Sequence, residues 1–196
     1  MLRFLTAGES HGKALVELLT VALAVGLYLQ FGLTWRWAIY TILAFALVIL
    51  TFVDLSHRII PDEITKPGIV LGLIASALLP SLHGATSHLQ GFLHGALGAL
   101  VGGGSLYLTG LLGDWLFKKE SMGGGNVKLL AMAGAVLGWQ RAVLTFFLAP
   151  ILIVIPSLII RLRRKGSFTI EYGPFLAAAI LISVMWGSHI LRVLHL

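Results

Sequence analysis

The chain has 196 residues, 58% of them hydrophobic and only 11% charged, with mean hydropathy +0.95. A soluble domain carries about 25% charged residues, so this composition excludes an ordinary soluble protein and indicates an integral membrane one. The formal charge of +6 is explained by topology rather than nucleic acid, since Lys and Arg accumulate on cytoplasmic loops; with no cysteine, disulfides and thiolate metal sites are excluded.

Residues 1–12, MLRFLTAGESHG, differ in character from the rest of the chain and resemble the extreme N-terminus of chorismate synthase. That likeness is too short to imply activity, and no secretory h-region or cleavage site is present. Residues 1–13 are therefore expected to be an unrelated leader or fusion-like segment, and 14–196 a single membrane-embedded domain. Apolar segments lie near 14–31, 35–53, 68–82, 89–113, 127–138, 142–160 and 174–194. Several approach the ~20 residues that cross a ~30 Å hydrocarbon core. The expected fold is all-α, a polytopic membrane bundle of about seven transmembrane segments.

Local signals refine this outline. Trp35, Trp37 and Tyr40 read as interfacial aromatics. A polar loop is expected over 54–66, with Pro67 as the first residue of the next helix. Gly91, Gly95, Gly98 and Gly102 recur at three- or four-residue spacing, which permits close helix contact. Pro150 and Pro156 predict a kink or break in the sixth segment. With the N-terminus cytoplasmic, alternation of loops puts eleven basic residues on one side and only Arg36, Arg141 and Arg192 on the other. This positive-inside bias places Asp54 and Asn126 together at the cytoplasmic face.

Two stretches carry the chemistry. In the first, an apolar run ends at Asp54 and is followed by Pro61, Asp62 and Glu63; the second is Met122-Gly123-Gly124-Gly125-Asn126-Val127-Lys128-Leu129. Glycines lacking a Cβ allow positive φ and close backbone approach, and Asn126 is expected at the start of a helix. Together the stretches resemble the type IV prepilin peptidases, membrane aspartic proteases of the Gly-x-Gly-Asp type. The family's first motif, Asp-x-x-x-x-x-(Ile/Leu)-Pro-Asp, falls on Asp54 through Asp62. Its second, Met-Gly-x-Gly-Asp-x-Lys-Leu, falls on Met122 through Leu129, with Asn126 where the family has its second catalytic aspartate. Glu171-Tyr172-Gly173-Pro174-Phe175 resembles a late loop of that family, as structure rather than chemistry.

The resemblance implies an endopeptidase that removes the leader of type IV prepilins and related pseudopilins, serving pilus assembly or type II secretion. It implies a multi-pass protein of the bacterial inner membrane with its site facing the cytoplasm, and partners that are the prepilin and the lipid bilayer, with no nucleic acid. Asp54 and the position of Asn126 would be catalytic; Pro61, Asp62, Gly123, Gly124, Gly125 and Lys128 would support the motifs. Aspartic proteolysis needs two carboxylates sharing a proton, one acting as base toward water and one as acid toward the carbonyl. Asparagine has no titratable proton, so the site is expected to be assembled but silent, as in an engineered trap or a natural pseudoenzyme. No metal ligand set is expected. Bifunctional members also use S-adenosylmethionine for N-methylation; the N-terminal helix and Cys-x-x-Cys zinc domain of such members are absent here, so no cofactor is expected. A non-catalytic pseudoprotease that binds prepilins and a small transporter are the alternatives. A transporter places its polar groups near the bilayer midplane, whereas those here gather at one interface.

Overall fold

Each apolar segment of the sequence becomes a helix in the computed structural model, which describes residues 10–118, 122–163 and 171–194. The elements are α1 (Ser10–Phe31), α2 (Trp35–His57), α3 (Asp62–Leu78), α4 (His88–Phe117), α5 (Gly124–Leu137), α6 (Trp139–Arg163) and α7 (Gly173–Val193). A 3₁₀ turn, Pro80–His83, joins α3 to α4, and no strand occurs among the described residues. By length and composition α2, α4, α6 and α7 can each cross a membrane. The chain is a multi-pass helical membrane protein. Most of residues 1–13, together with Lys119, Glu120, Ser121, Arg164 and Lys165 and the side chains of Arg161 and Arg163, lies outside the described residues. The leader expected over 1–13 falls largely there, although α1 already begins at Ser10.

Several local expectations are corrected. The stretch 54–66 is not one loop: α2 continues to His57, α3 begins at Asp62, and only 58–61 lies between them. Polarity does not end a helix while its backbone bonds continue; the Arg58 amide still donates to the Asp54 carbonyl at 2.7 Å. The turn comes at Arg58 itself, with φ 57°. Pro67 lies inside α3 rather than at its start, while Pro61 supplies the extended residue before it, φ −64° and ψ 132°. Of the kink or break expected at Pro150 and Pro156, the break is excluded, since both prolines sit within a continuous α6.

The chain divides into two units, the first ending at Ile49 and the second beginning at Leu50. In the first, α1 turns into α2 at Gly32, φ 62°. Trp37 Nε1 donates to the Ala24 carbonyl at 3.1 Å. Tyr28 meets Trp37 edge-on at 6.2 Å, and Phe31 meets Tyr40 at 5.2 Å. Tyr40 is thus a buried core aromatic, not an interfacial one.

The second unit is built around α5. Its 14 residues extend about 21 Å at 1.5 Å per residue, short of a ~30 Å hydrocarbon core. The helix is sheathed instead by α3, α4, α6 and α7, and all of Leu129–Leu137 except Ala131 is buried. The small-residue stripe of α4 makes this possible, since Gly95, Gly98 and Gly102 face Ala135, Gly134 and Leu130. At the end of α5 away from Asn126, the buried Ser76 hydroxyl donates to the Ala135 carbonyl at 2.7 Å and accepts from His83 Nε2 at 2.8 Å. Between α6 and α7, the buried hydroxyls of Thr145 and Ser183 lie 2.8 Å apart. With their hydroxyls paired, these side chains can sit among apolar helices without the cost of an unmade hydrogen bond.

Candidate functional site

Four helix ends meet at one end of the second unit: the C-terminus of α2 and the N-termini of α3, α5 and α7. The clearest link is polar. Lys128 Nζ donates to Asp62 Oδ1 at 2.5 Å, and Lys66 Nζ lies 2.7 Å from Asp62 Oδ2. Asp62 opens α3, where a carboxylate also meets the positive end of the helix dipole. Hydrogen bonds from Lys128 and then Lys66 hold its pKa below the ordinary aspartate value, and the reciprocal bond raises that of Lys66.

An apolar link lies beside it. Ile60 is buried and reaches both α5 and α7. A Cβ on Gly125 would stand 2.7 Å from Ile60 Cβ, and one on Gly173 would stand 3.4 Å from Ile60 Cδ1. Gly125 is therefore required by close approach. The expectation that the glycine run takes positive φ is corrected: Gly123 has φ −67°, Gly124 and Gly125 are already helical, and neither shows positive φ. Gly123 is the N-cap residue, and its carbonyl accepts from the Asn126 amide at 3.1 Å.

Asp54 lies in the last turn of α2 and is only 7% exposed. Its carboxylate packs against Gly173, where any Cβ would collide with it, and the Gly173 N–H is directed at it. That amide is one of the unpaired donors at the start of a helix, so α7 offers a built-in partner for the carboxyl group. Burial pushes the neighbouring Tyr172 phenol up to about 12, leaving it a neutral donor at ordinary pH. Glu171 stands close enough to Asp54 for their charges to interact, and it pairs with Arg58 Nε at 2.7 Å.

Asn126 is the third residue of α5, as expected. Its Oδ1 is buried with no hydrogen-bond partner. Leaving such an acceptor unmade costs about 1–3 kcal/mol, which marks the position as one that a water or ligand would complete. The structure thus brings the Asp54–Asp62 and Met122–Leu129 stretches together through Ile60–Gly125 and Asp62–Lys128. Sequence reasoning missed Ile60, Arg58, Gly173 and the proximity of Glu171 to Asp54. Ile60 stands at the Ile/Leu position of the first motif, and Glu171 and Gly173 lie in the late-loop stretch, so their types were legible though their contacts were not; nothing local marked Arg58. Among the described residues no group of His, Asp and Glu is arranged to hold a metal ion.

Comparison with known proteins bears on this geometry. Residues 41–158 match the type IV leader peptidase family. The chain is 36% identical over 184 residues to a prepilin leader peptidase/N-methyltransferase of Pseudomonas aeruginosa, covering 91% of this chain and 59% of that protein. It is 34% identical over 190 residues to the one from Stutzerimonas stutzeri, covering 94% and 62%. With the Aeromonas salmonicida protein it shares 36% over 192 residues, covering 95% and 62%. The chain thus spans about three-fifths of the length of these relatives. No solved structure matches it.

Proposed function

The chain belongs to the type IV leader peptidase family, and from that premise we propose that it is a leader-peptidase scaffold acting on type IV prepilins. The observation that carries this reading is the closure of both motif stretches at one end, with buried Asp54 and the unpartnered Asn126 Oδ1 among them. The substrate is a prepilin whose leader stays in the cytoplasm while its apolar helix lies against the bundle. The basic-residue asymmetry supports an inner-membrane protein with this end facing the cytoplasm.

In this reading Asp54 is one half of the acid–base pair. The Gly173 amide and the α7 terminus hold its carboxylate in place, and the Lys128–Asp62 bridge fixes the α5 terminus against α3. Asn126 occupies the second position, where it can hydrogen-bond water or the scissile carbonyl but cannot exchange a proton. The proposal concerns peptide hydrolysis alone, and S-adenosylmethionine enters none of its steps.

The test is leader release from a detergent-solubilised prepilin, followed as a gel shift. Asn126→Asp is expected to raise cleavage by about 10²–10⁴-fold, the usual contribution of one general acid–base group. Asp54→Asn in that background is expected to abolish it. A folded Asn126→Asp protein that cuts none of a panel of type IV prepilins would defeat the reading.

A further inference from the structure

We propose that Glu171 is a second catalytic carboxylate of this chain, paired with Asp54 and serving as the general base that Asn126 cannot be. The proposal rests on the leader-peptidase reading and goes beyond it by assigning chemistry to a residue outside both motifs.

The geometry converges on the pair from two sides. On the α7 side, Glu171 is two residues before Gly173, whose backbone lies against the Asp54 carboxylate. Two residues span at most about 7 Å, so the Glu171 backbone is held next to that contact. On the α2 side, Arg58 follows Asp54 by one helical turn, its amide on the Asp54 carbonyl at 2.7 Å, and its guanidinium holds Glu171 Oε1 at 2.7 Å. Glu171 is thereby drawn over the end of α2, close enough to Asp54 for the two charges to interact. Its side chain is 20% exposed, so water can reach it.

The other polar groups at this end have different duties. Tyr172 at the start of α7 keeps its phenolic proton, since burial pushes its pKa to about 12. Lys128 and Lys66 are engaged with Asp62. Asn126 supplies an unpartnered amide oxygen that can accept from a water. Of the carboxylates at this end, Glu171 is the one whose charge acts on Asp54 and whose backbone is tied to the Gly173 contact. Its ion pair with Arg58 suits it to the base's part in the step, and Asp54 takes the part of the acid.

The step then balances. Glu171 removes one proton from a water as the water oxygen bonds to the scissile carbonyl carbon, and Asp54 passes its proton to the carbonyl oxygen, giving a gem-diol. Breaking the C–N bond sends the proton on Glu171 to the departing nitrogen, while a gem-diol hydroxyl returns a proton to Asp54. One water is consumed, and the pair ends in its starting state.

The experiment uses the full chain in detergent with a type IV prepilin that the Asn126→Asp variant cleaves. The chain as it stands is expected to cleave slowly, about 10²–10⁴-fold below Asn126→Asp, and Asp54→Asn is expected to remove that cleavage. Glu171→Gln is expected to lower the slow cleavage by about 100-fold or more, yet cost the Asn126→Asp protein about tenfold or less, because residues acting as one unit are non-additive. Glu171→Asp, which retains the carboxylate, is expected to restore part of the slow turnover. Equal losses from Glu171→Gln in both backgrounds would make Glu171 only an anchor for Arg58 and overturn the proposal. So would a complete lack of Asp54-dependent cleavage by the unaltered chain when Asn126→Asp cuts well. That last result leaves the leader-peptidase reading standing, whereas an inert Asn126→Asp removes both.

Discussion

Lys128 on α5 donates to Asp62 at the start of α3 at 2.5 Å, joining two residues 66 apart in sequence. This bond ties the glycine-rich terminus of α5 to the short turn after α2, so the two motif stretches are held in register by a charge-assisted contact. Such bonds are shorter and stronger than neutral ones, but Asp62 is exposed enough for water to screen the pair.

Asp62→Asn is therefore expected to reduce cleavage by the Asn126→Asp protein by about tenfold or less, far below the loss from Asp54→Asn. Its pH dependence has a definite sign. The carboxylate pKa is held below the ordinary value of 3.8. The contribution of the pair is present above that value and is lost as pH falls through the depressed one. A carboxyl ¹³C titration of Asp62 in micelles should show a midpoint below 3.8, moving upward in Lys128→Met.

Gly173→Ala places a methyl group where the Asp54 carboxylate lies. Displacing a reacting group by about 1 Å can cost about 10²-fold, so Asn126→Asp with Gly173→Ala is expected to lose at least that in turnover at saturating prepilin. A double variant with unchanged turnover would show that Gly173 does not set the position of Asp54.

Gly98 and Gly104 make a paired stability test on α4. A Cβ at Gly98 would meet the Gly134 backbone, whereas one at Gly104 meets nothing within 4 Å. Gly98→Ala is expected to destabilise by about 1–3 kcal/mol through overpacking. Gly104→Ala is expected to stabilise by about 0.5–1 kcal/mol, since helix-interior glycine is entropically costly. Thermal melts in one detergent compare them directly.

Sidedness is checked by labelling. Cysteines at the exposed positions Ser56 and Lys118 are expected to react with an impermeant maleimide only when it has cytoplasmic access. A cysteine at Thr86, in the α3–α4 connection, is expected to react from the opposite side. Reversed labelling would overturn the cytoplasmic orientation.

Composition and hydropathy alone determined that this is a helical membrane protein, because apolar runs in lipid must satisfy their own backbone bonds and do so as helices. The two stretches holding Asp54, Asp62, Asn126 and Lys128 were singled out by their resemblance to family motifs, and the local pattern placed Asn126 at the start of a helix, where it lies. Tertiary structure decided what those motifs touch. A glycine reads the same whether it serves a positive-φ turn, as Gly138 does at φ 81°, or a close approach, as Gly125 does against Ile60; only the packed neighbour tells which. Hydropathy ended α2 at Val53, while backbone hydrogen bonding carried it to His57 and put Asp54 inside its last turn. The pairing of Arg58 with Glu171 beside Asp54 has no local signature, since it depends on where α2 ends relative to where α7 begins. That relation is fixed by the packing of helices far apart in sequence.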